Sequence, residues 1–183
     1  NFMGVPVVEP VQVNALHNMV GMENVDGTVW YWVDESTSHH AFDTAFESLD
    51  VIDEKKKDPL IERVDHISLS QSYPDFLSSL LGFRVLFNLN IAPAFDVFDP
   101  QGLIQSQVVH NDERTFQLAF NATDAKNTSS ARFIERAKGS GVQHIALATH
   151  DIFSCAEAIQ NAGIECIRIP QNYYPDLQVR FGL

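Results

Sequence analysis

Val64-Asp65-His66-Ile67-Ser68-Leu69 reappears as Val142-Gln143-His144-Ile145-Ala146-Leu147, and from the isoleucine onward each copy alternates large aliphatic with small residues. An internal repeat of this kind fixes architecture before any single residue does, because each copy is one supersecondary unit. Period-two alternation predicts a half-buried strand in both copies. After the first, Pro74 stands where a helix favours proline. Phe76, Leu77, Leu80 and Leu81 form an apolar stripe, and Gly82 offers a stop. After the second, Asp151 can cap a helix whose apolar face is Ile152, Cys155, Ala156 and Ile159, with Gly163 at its end. Apolar runs follow at 83–87 and 164–169, so both copies read strand, helix, strand.

The first copy continues through predicted strands at 95–98, 103–109 and 116–120, broken by the turn-forming Asp99-Pro100-Gln101-Gly102 and Asn111-Asp112-Glu113. That is a βαβββ module over 62–121. Small polar residues at 122–130 and a short helix at 131–138, ended by Gly139, lead into a partial module at 140–183. Its closing hairpin would follow Leu183. Residues 1–35 hold an orphan hairpin, with strands at 13–20 and 28–33 around a turn at 24–27, read as the end of a preceding module. Residues 36–61 are acidic, then basic at Lys55-Lys56-Lys57, and read as a linker. The expected fold is α+β, with paired βαβββ modules curling into an open barrel, 62–183 forming the metal-binding domain. The chain reads as a fragment.

Composition narrows the classes of partner. With 183 residues, 45% of them hydrophobic, the chain can bury a core. A formal net charge of -12 disfavours nucleic acid and anionic membrane, since its field repels phosphate. No stretch approaches the roughly 18 apolar residues that a membrane span needs. Cys155 and Cys166, the two cysteines, fall at apolar positions of amphipathic patterns and are expected to be buried thiols, which fits a reducing cytoplasm. A homo-oligomer is compatible with this composition.

On a strand, alternate side chains share a face. Val64, His66, Ser68 and Ser70 therefore point one way while Ile67 and Leu69 point the other, and His144 sits with Val142, Ala146 and Ala148 in the second copy. Two histidines at equivalent repeat positions, beside small neighbours, form a candidate pair of metal ligands. Gln105 and Gln107 share a strand face and either orient a carboxylate or keto group or simply line the barrel. His39, His40 and His110 read as surface or turn residues, and His150 as part of a helix start. No nucleophile elbow, phosphate loop or dinucleotide fingerprint is present.

The segment Gly139-Ser140-Gly141-Val142-Gln143-His144-Ile145-Ala146-Leu147, followed by Thr149-His150-Asp151-Ile152, resembles the second metal-histidine segment of 4-hydroxyphenylpyruvate dioxygenases. Those enzymes belong to the vicinal-oxygen-chelate superfamily. Val64-Asp65-His66-Ile67 resembles the first segment, and Asn172-Tyr173-Tyr174 with Leu177 resembles the stretch after the fourth module's helix. The resemblance implies that His66 and His144 bind a divalent ion, Fe(II) or another such as Mg, Mn or Co. It also implies open positions for a small-molecule carboxylate or keto acid and for O2. Asp99-Pro100-Gln101-Gly102-Leu103-Ile104-Gln105-Ser106 and the stretch 172–182 are more similar to bacterial 3-dehydroshikimate dehydratases, which fuse a TIM barrel to a dioxygenase-like C-terminal region. Asn121-Ala122-Thr123 stands where true dioxygenases tend to carry Asn-Glu-Pro, a departure from the dioxygenase pattern.

In the dioxygenase family the third ligand is a glutamate on the final hairpin of the fourth module, beyond Leu183 here. The matching position on the orphan hairpin is Tyr31, whose phenol does not make a hard divalent site; Asp34 and Glu35 are nearby substitutes. The isolated chain is therefore expected to bind metal weakly. It is also expected neither to consume O2 with 4-hydroxyphenylpyruvate nor to dehydrate 3-dehydroshikimate, a reaction assigned to the barrel. The alternatives are a 4-hydroxyphenylpyruvate dioxygenase proper and a metal-free binding or assembly module.

Overall fold

The computed structural model describes residues 6–8, 20–33, 47 and 60–182. Two compact units divide the chain, the first containing Asn1–Lys57 and Arg63–Ala148, the second Asp58–Glu62 and Thr149–Leu183.

In the first unit, strands β1 (Val7–Val8), β2 (Val20–Glu23) and β3 (Val29–Trp32) form a small antiparallel sheet. The expected turn at 24–27 joins β2 to β3, and Asp26 organises it by accepting from the Thr28 amide at 2.9 Å and the Thr28 hydroxyl at 2.6 Å. This side-chain mimicry of a backbone turn is what aspartate supplies. The turn is tied to the main body by the buried Gln71 amide, which donates to Asp26 and to Ser79 Oγ. Trp30 packs edge-on against Phe83 at 5.1 Å between ring centroids, and Trp32 lies at a 31° tilt to Phe87 at 4.3 Å.

The main sheet has six strands: β4 (Arg63–Ser70), β5 (Asn90–Ile91), β6 (Phe95–Asp99), β7 (Gly102–His110), β8 (Gln117–Ala122) and β9 (Gly141–Ala148). Its order is β5-β7-β8-β4-β9, with β6 also paired to β7. β4 and β8 run parallel and the other pairs antiparallel. The two repeat strands thus lie side by side, and the sheet stays open.

Helix α1 (Tyr73–Phe87) covers one face. Ser72 caps it by accepting from the Asp75 amide, and Pro74 lies in its first turn. The expected stop at Gly82 and strand at 83–87 do not occur, because Phe76, Leu80, Phe83 and Phe87 continue one helical face and the left-handed Asn88 ends the helix instead. A short apolar run satisfies either periodicity, and packing chose the helix. Phe76, Leu80 and Phe83 join Leu69, Val109, Leu118, Phe120 and Ala122 in the core. Leu77 and Leu81, expected on the same stripe, are exposed.

Helix α2 (Ser129–Ala137) is capped by Thr128 and precedes β9. At the β6–β7 turn Gly102 has φ +152°, and a Cβ there would come within 2.6 Å of the Ala125 Cβ. Backbone strain and overpacking act together at such a site. Gly102→Ala is expected to lower stability by about 1–3 kcal/mol in a denaturant melt, against near-neutrality for alanine at the unobstructed Gly82.

The second unit holds α3 (Ile152–Asn161), capped by Asp151 through the Phe153 and Ser154 amides, and α4 (Tyr173–Phe181). Asp151's carboxyl is held below its usual range by the Ser154 hydroxyl and these amides. The strand expected at 164–169 is absent, and the segment is exposed and irregular. Cys155 is buried as expected, whereas Cys166 is exposed, since the strand meant to bury it does not form.

Candidate metal centre

The face of the main sheet opposite α1 carries the histidines. Alternation on β4 sends Leu69 into the core and leaves His66 and Ser68 on the other side, as the residue pattern predicts. Antiparallel pairing places Ser68 opposite His144 and His66 opposite Ala146. The two rings are 5.8 Å apart between centroids, inclined at 76°. Small side chains next to each ring keep the space above it open.

Both imidazoles border one cavity of about 250 Å³. Ser68, Ser106, Gln117, Ala119 and Asn121 form its floor, and Phe95, Val97 and Val108 form an apolar wall. Strand register explains the grouping: Ser106 faces Asn121, Val108 faces Ala119, and Phe95 faces Ser106. The Asn121 amide is fixed by donating to Ser68 Oγ at 2.8 Å and to the Leu69 carbonyl at 3.0 Å. Ser106 is 3% exposed and borders this cavity, where its hydroxyl can meet a ligand.

His144's imidazole titrates below its ordinary value, first because partial burial penalises the charged form and second because His66 lies beside it. The folded state therefore binds this proton less tightly than the unfolded chain. Stability contributed here is complete above the ordinary histidine value of about 6.5 and declines as pH falls below it. NMR titration is expected to place the His144 midpoint below that value, and His66→Ala should raise it part of the way back, leaving the burial contribution.

The donor set fits a nitrogen-preferring transition ion better than Mg(II), which takes oxygen ligands. Among the described residues, no three His, Cys, Asp or Glu side chains are placed to hold one ion. Tyr31 lies on β3, 38% exposed, and does not border the cavity. Asp34, Glu35, His39 and His40 lie outside the described residues.

Gln105 and Gln107 take the opposite register on β7 and do not border this cavity. Gln105 accepts from the Tyr73 hydroxyl at 2.6 Å, and Gln107 donates to the Ala92 carbonyl at 2.9 Å. Counting alternation along 102–110 puts Ser106, rather than the glutamines, on the histidine face. That signal was present in the sequence, but choosing the face needs the strand pairing. Ser106, Gln117 and Asn121 were the residues missed. His110 ends β7 and shares a hydrogen bond with the Asn111 carbonyl, and His150 lies 3.3 Å from Glu62.

Residues 71–181 match the family described as the Glyoxalase/Bleomycin resistance protein/Dioxygenase superfamily. The 3-dehydroshikimate dehydratase of Pseudomonas putida is 33% identical over 157 residues, 85% of this chain and 24% of that protein. A 4-hydroxyphenylpyruvate dioxygenase of Caenorhabditis elegans is 41% identical over 83 residues, 43% of this chain and 21% of that enzyme. A solved xylose isomerase-like TIM barrel/4-hydroxyphenylpyruvate dioxygenase fusion protein superposes with a TM-score of 0.65 and 28% identity, over 98% of this chain and 28% of the other. A 4-hydroxymandelate synthase mutant from Streptomyces coelicolor shares the fold with a TM-score of 0.69 at 13% identity, over 98% of this chain and 51% of the other. The chain spans about a quarter of the dehydratases it matches.

Proposed function

Since this chain belongs to the Glyoxalase/Bleomycin resistance protein/Dioxygenase superfamily, we propose that it is the dioxygenase-like, metal-holding region of a 3-dehydroshikimate-dehydratase-type protein. In this reading residues 62–183 form the metal-binding domain. His66 and His144 hold one divalent transition ion, and a small carboxylate or keto acid occupies the cavity beside it. The observation that carries the reading is the placement of the two repeat histidines over one cavity, 5.8 Å apart. The similarity to dehydratases across most of this chain supports the choice of protein type.

A bound ion would act as a Lewis acid, polarising the ligand's carbonyl or carboxylate oxygen. Around it, the Ser106 hydroxyl and the fixed Asn121 side chain offer hydrogen bonds to the ligand's polar end. Phe95, Val97 and Val108 exclude water from its apolar part. The volume admits a small acid rather than a large cofactor.

The test is calorimetric titration with Co(II), followed by pyruvate as a bidentate keto acid. One ion per chain is expected, with pyruvate tightening its hold and altering the cobalt spectrum. Absence of cobalt uptake would remove the metal reading and leave a binding or assembly module. Uptake with no response to pyruvate would remove the keto-acid class. The full-length protein, assayed for 3-dehydroshikimate dehydration and for O2 consumption with 4-hydroxyphenylpyruvate, separates the dehydratase-type reading from a dioxygenase proper.

A further inference from the structure

Asp65 and His66 are consecutive on β4, and in a regular strand their side chains would point to opposite faces. Here both border the same cavity. The reason is a break in register: Val64 pairs with Leu147 and His66 with Ala146, so Asp65 is an extra residue opposite a single step of β9. Such a bulge re-aims a side chain. On the other flank, Gln117 Nε2 reaches the Asp65 carbonyl at 3.4 Å. As a result, Asp65 Oδ2 lies 2.9 Å from His66 Nδ1, while its other oxygen is 3.5 Å from Arg63.

We propose that Asp65 is a positioning residue for His66: through the bulge, its carboxylate holds the ring in the Nδ1–H tautomer and reserves Nε2 for the ligand in the cavity. An ionised carboxylate only accepts hydrogen bonds, so the shared proton belongs to the imidazole. With Nδ1 committed, Nε2 is the one ring nitrogen with a lone pair to offer. The His144 ring has no hydrogen-bond partner among the described residues, so none of them presets its tautomer. The pair is therefore asymmetric, one ligand fixed in advance and the other adjustable. Carboxylate partners of ligating histidines act in this way, and losing one typically weakens metal binding about 10–100-fold. The consequence for metal binding rests on the function proposed above; the tautomer does not.

The experiment compares the full chain with Asp65→Ala and Asp65→Asn in long-range proton–nitrogen spectra without metal, in alkaline buffer where imidazoles are neutral. His66→Gln identifies the ring signals. Wild type is expected to show His66 as Nδ1–H, and Asp65→Ala to move it toward Nε2–H, leaving His144 unchanged. Asp65→Asn retains an acceptor oxygen and should rescue part of the preference. It also carries the test should the alanine variant fold poorly. Cobalt affinity is expected to fall about 10–100-fold in Asp65→Ala. An unchanged His66 tautomer in both variants overturns the proposal, as does a shifted tautomer with undiminished cobalt affinity. Failure of wild type to bind cobalt, with the tautomer shift intact, would instead count against the metal reading of the site and leave Asp65's hold on the ring standing.

Discussion

His66→Ala and His144→Ala are each expected to weaken Co(II) binding by at least about 100-fold, beyond the range typical of outer-shell partners. Among the described residues these two imidazoles are the histidine ligands bordering the cavity, and no group of three His, Cys, Asp or Glu is placed to hold one ion. Removing one leaves a single imidazole, which competes poorly with water for the ion. Both alanine variants should keep wild-type melting behaviour without metal, because neither ring belongs to the core cluster. Metal that binds only the folded chain raises its stability by mass action, so wild type alone should show a cobalt-dependent rise in melting temperature. Retention of wild-type affinity in either variant would mean that the ion sits elsewhere. A Gln105→Ala or Gln107→Ala change should leave cobalt affinity unaltered, since neither side chain borders the cavity.

Phe120→Ala is expected to cost about 3–5 kcal/mol of folding stability, near the upper end for a core truncation. Phe120 is fully buried on β8, its ring 5.4 Å from Phe83 of α1, in the cluster that joins the helix to the sheet. The cavity left by its ring cannot collapse easily, because Leu118 and Leu69 are anchored on paired strands. Such a loss consumes a large part of the stability of an ordinary domain. Truncating Leu77 is the control: it lies on the same helix but is 54% exposed, and its change should stay within about 0.5 kcal/mol. Equal losses from the two substitutions in urea melts would show that the helix packs by its other face.

The repeat was legible in the residues because alternation with period two needs no partner to be recognised. It predicted strands over Val64 and Val142, put both histidines on the face away from Leu69, and led through the motifs around them to the family. The turn at 24–27 and the cap at Asp151 were equally local, since their side chains bond to backbone a few residues away. The limits of α1 were less accessible, because Phe83 and Phe87 satisfy either a strand or a helical stripe until Phe120, Trp30 and Trp32 are brought against them. Equally hidden was the choice between Gln105 and Ser106, which have the same claim to a strand face until β7 pairs with β8 and β6. The sequence by itself determined the two repeat strands and the equivalent positions of His66 and His144 on them. Only the tertiary structure decided which strands lie side by side, that the histidines share one cavity, and that a bulge swings Asp65 onto His66. Those are outcomes of pairing between segments far apart in the chain, where register is set by the burial of a whole face rather than by any neighbouring residue.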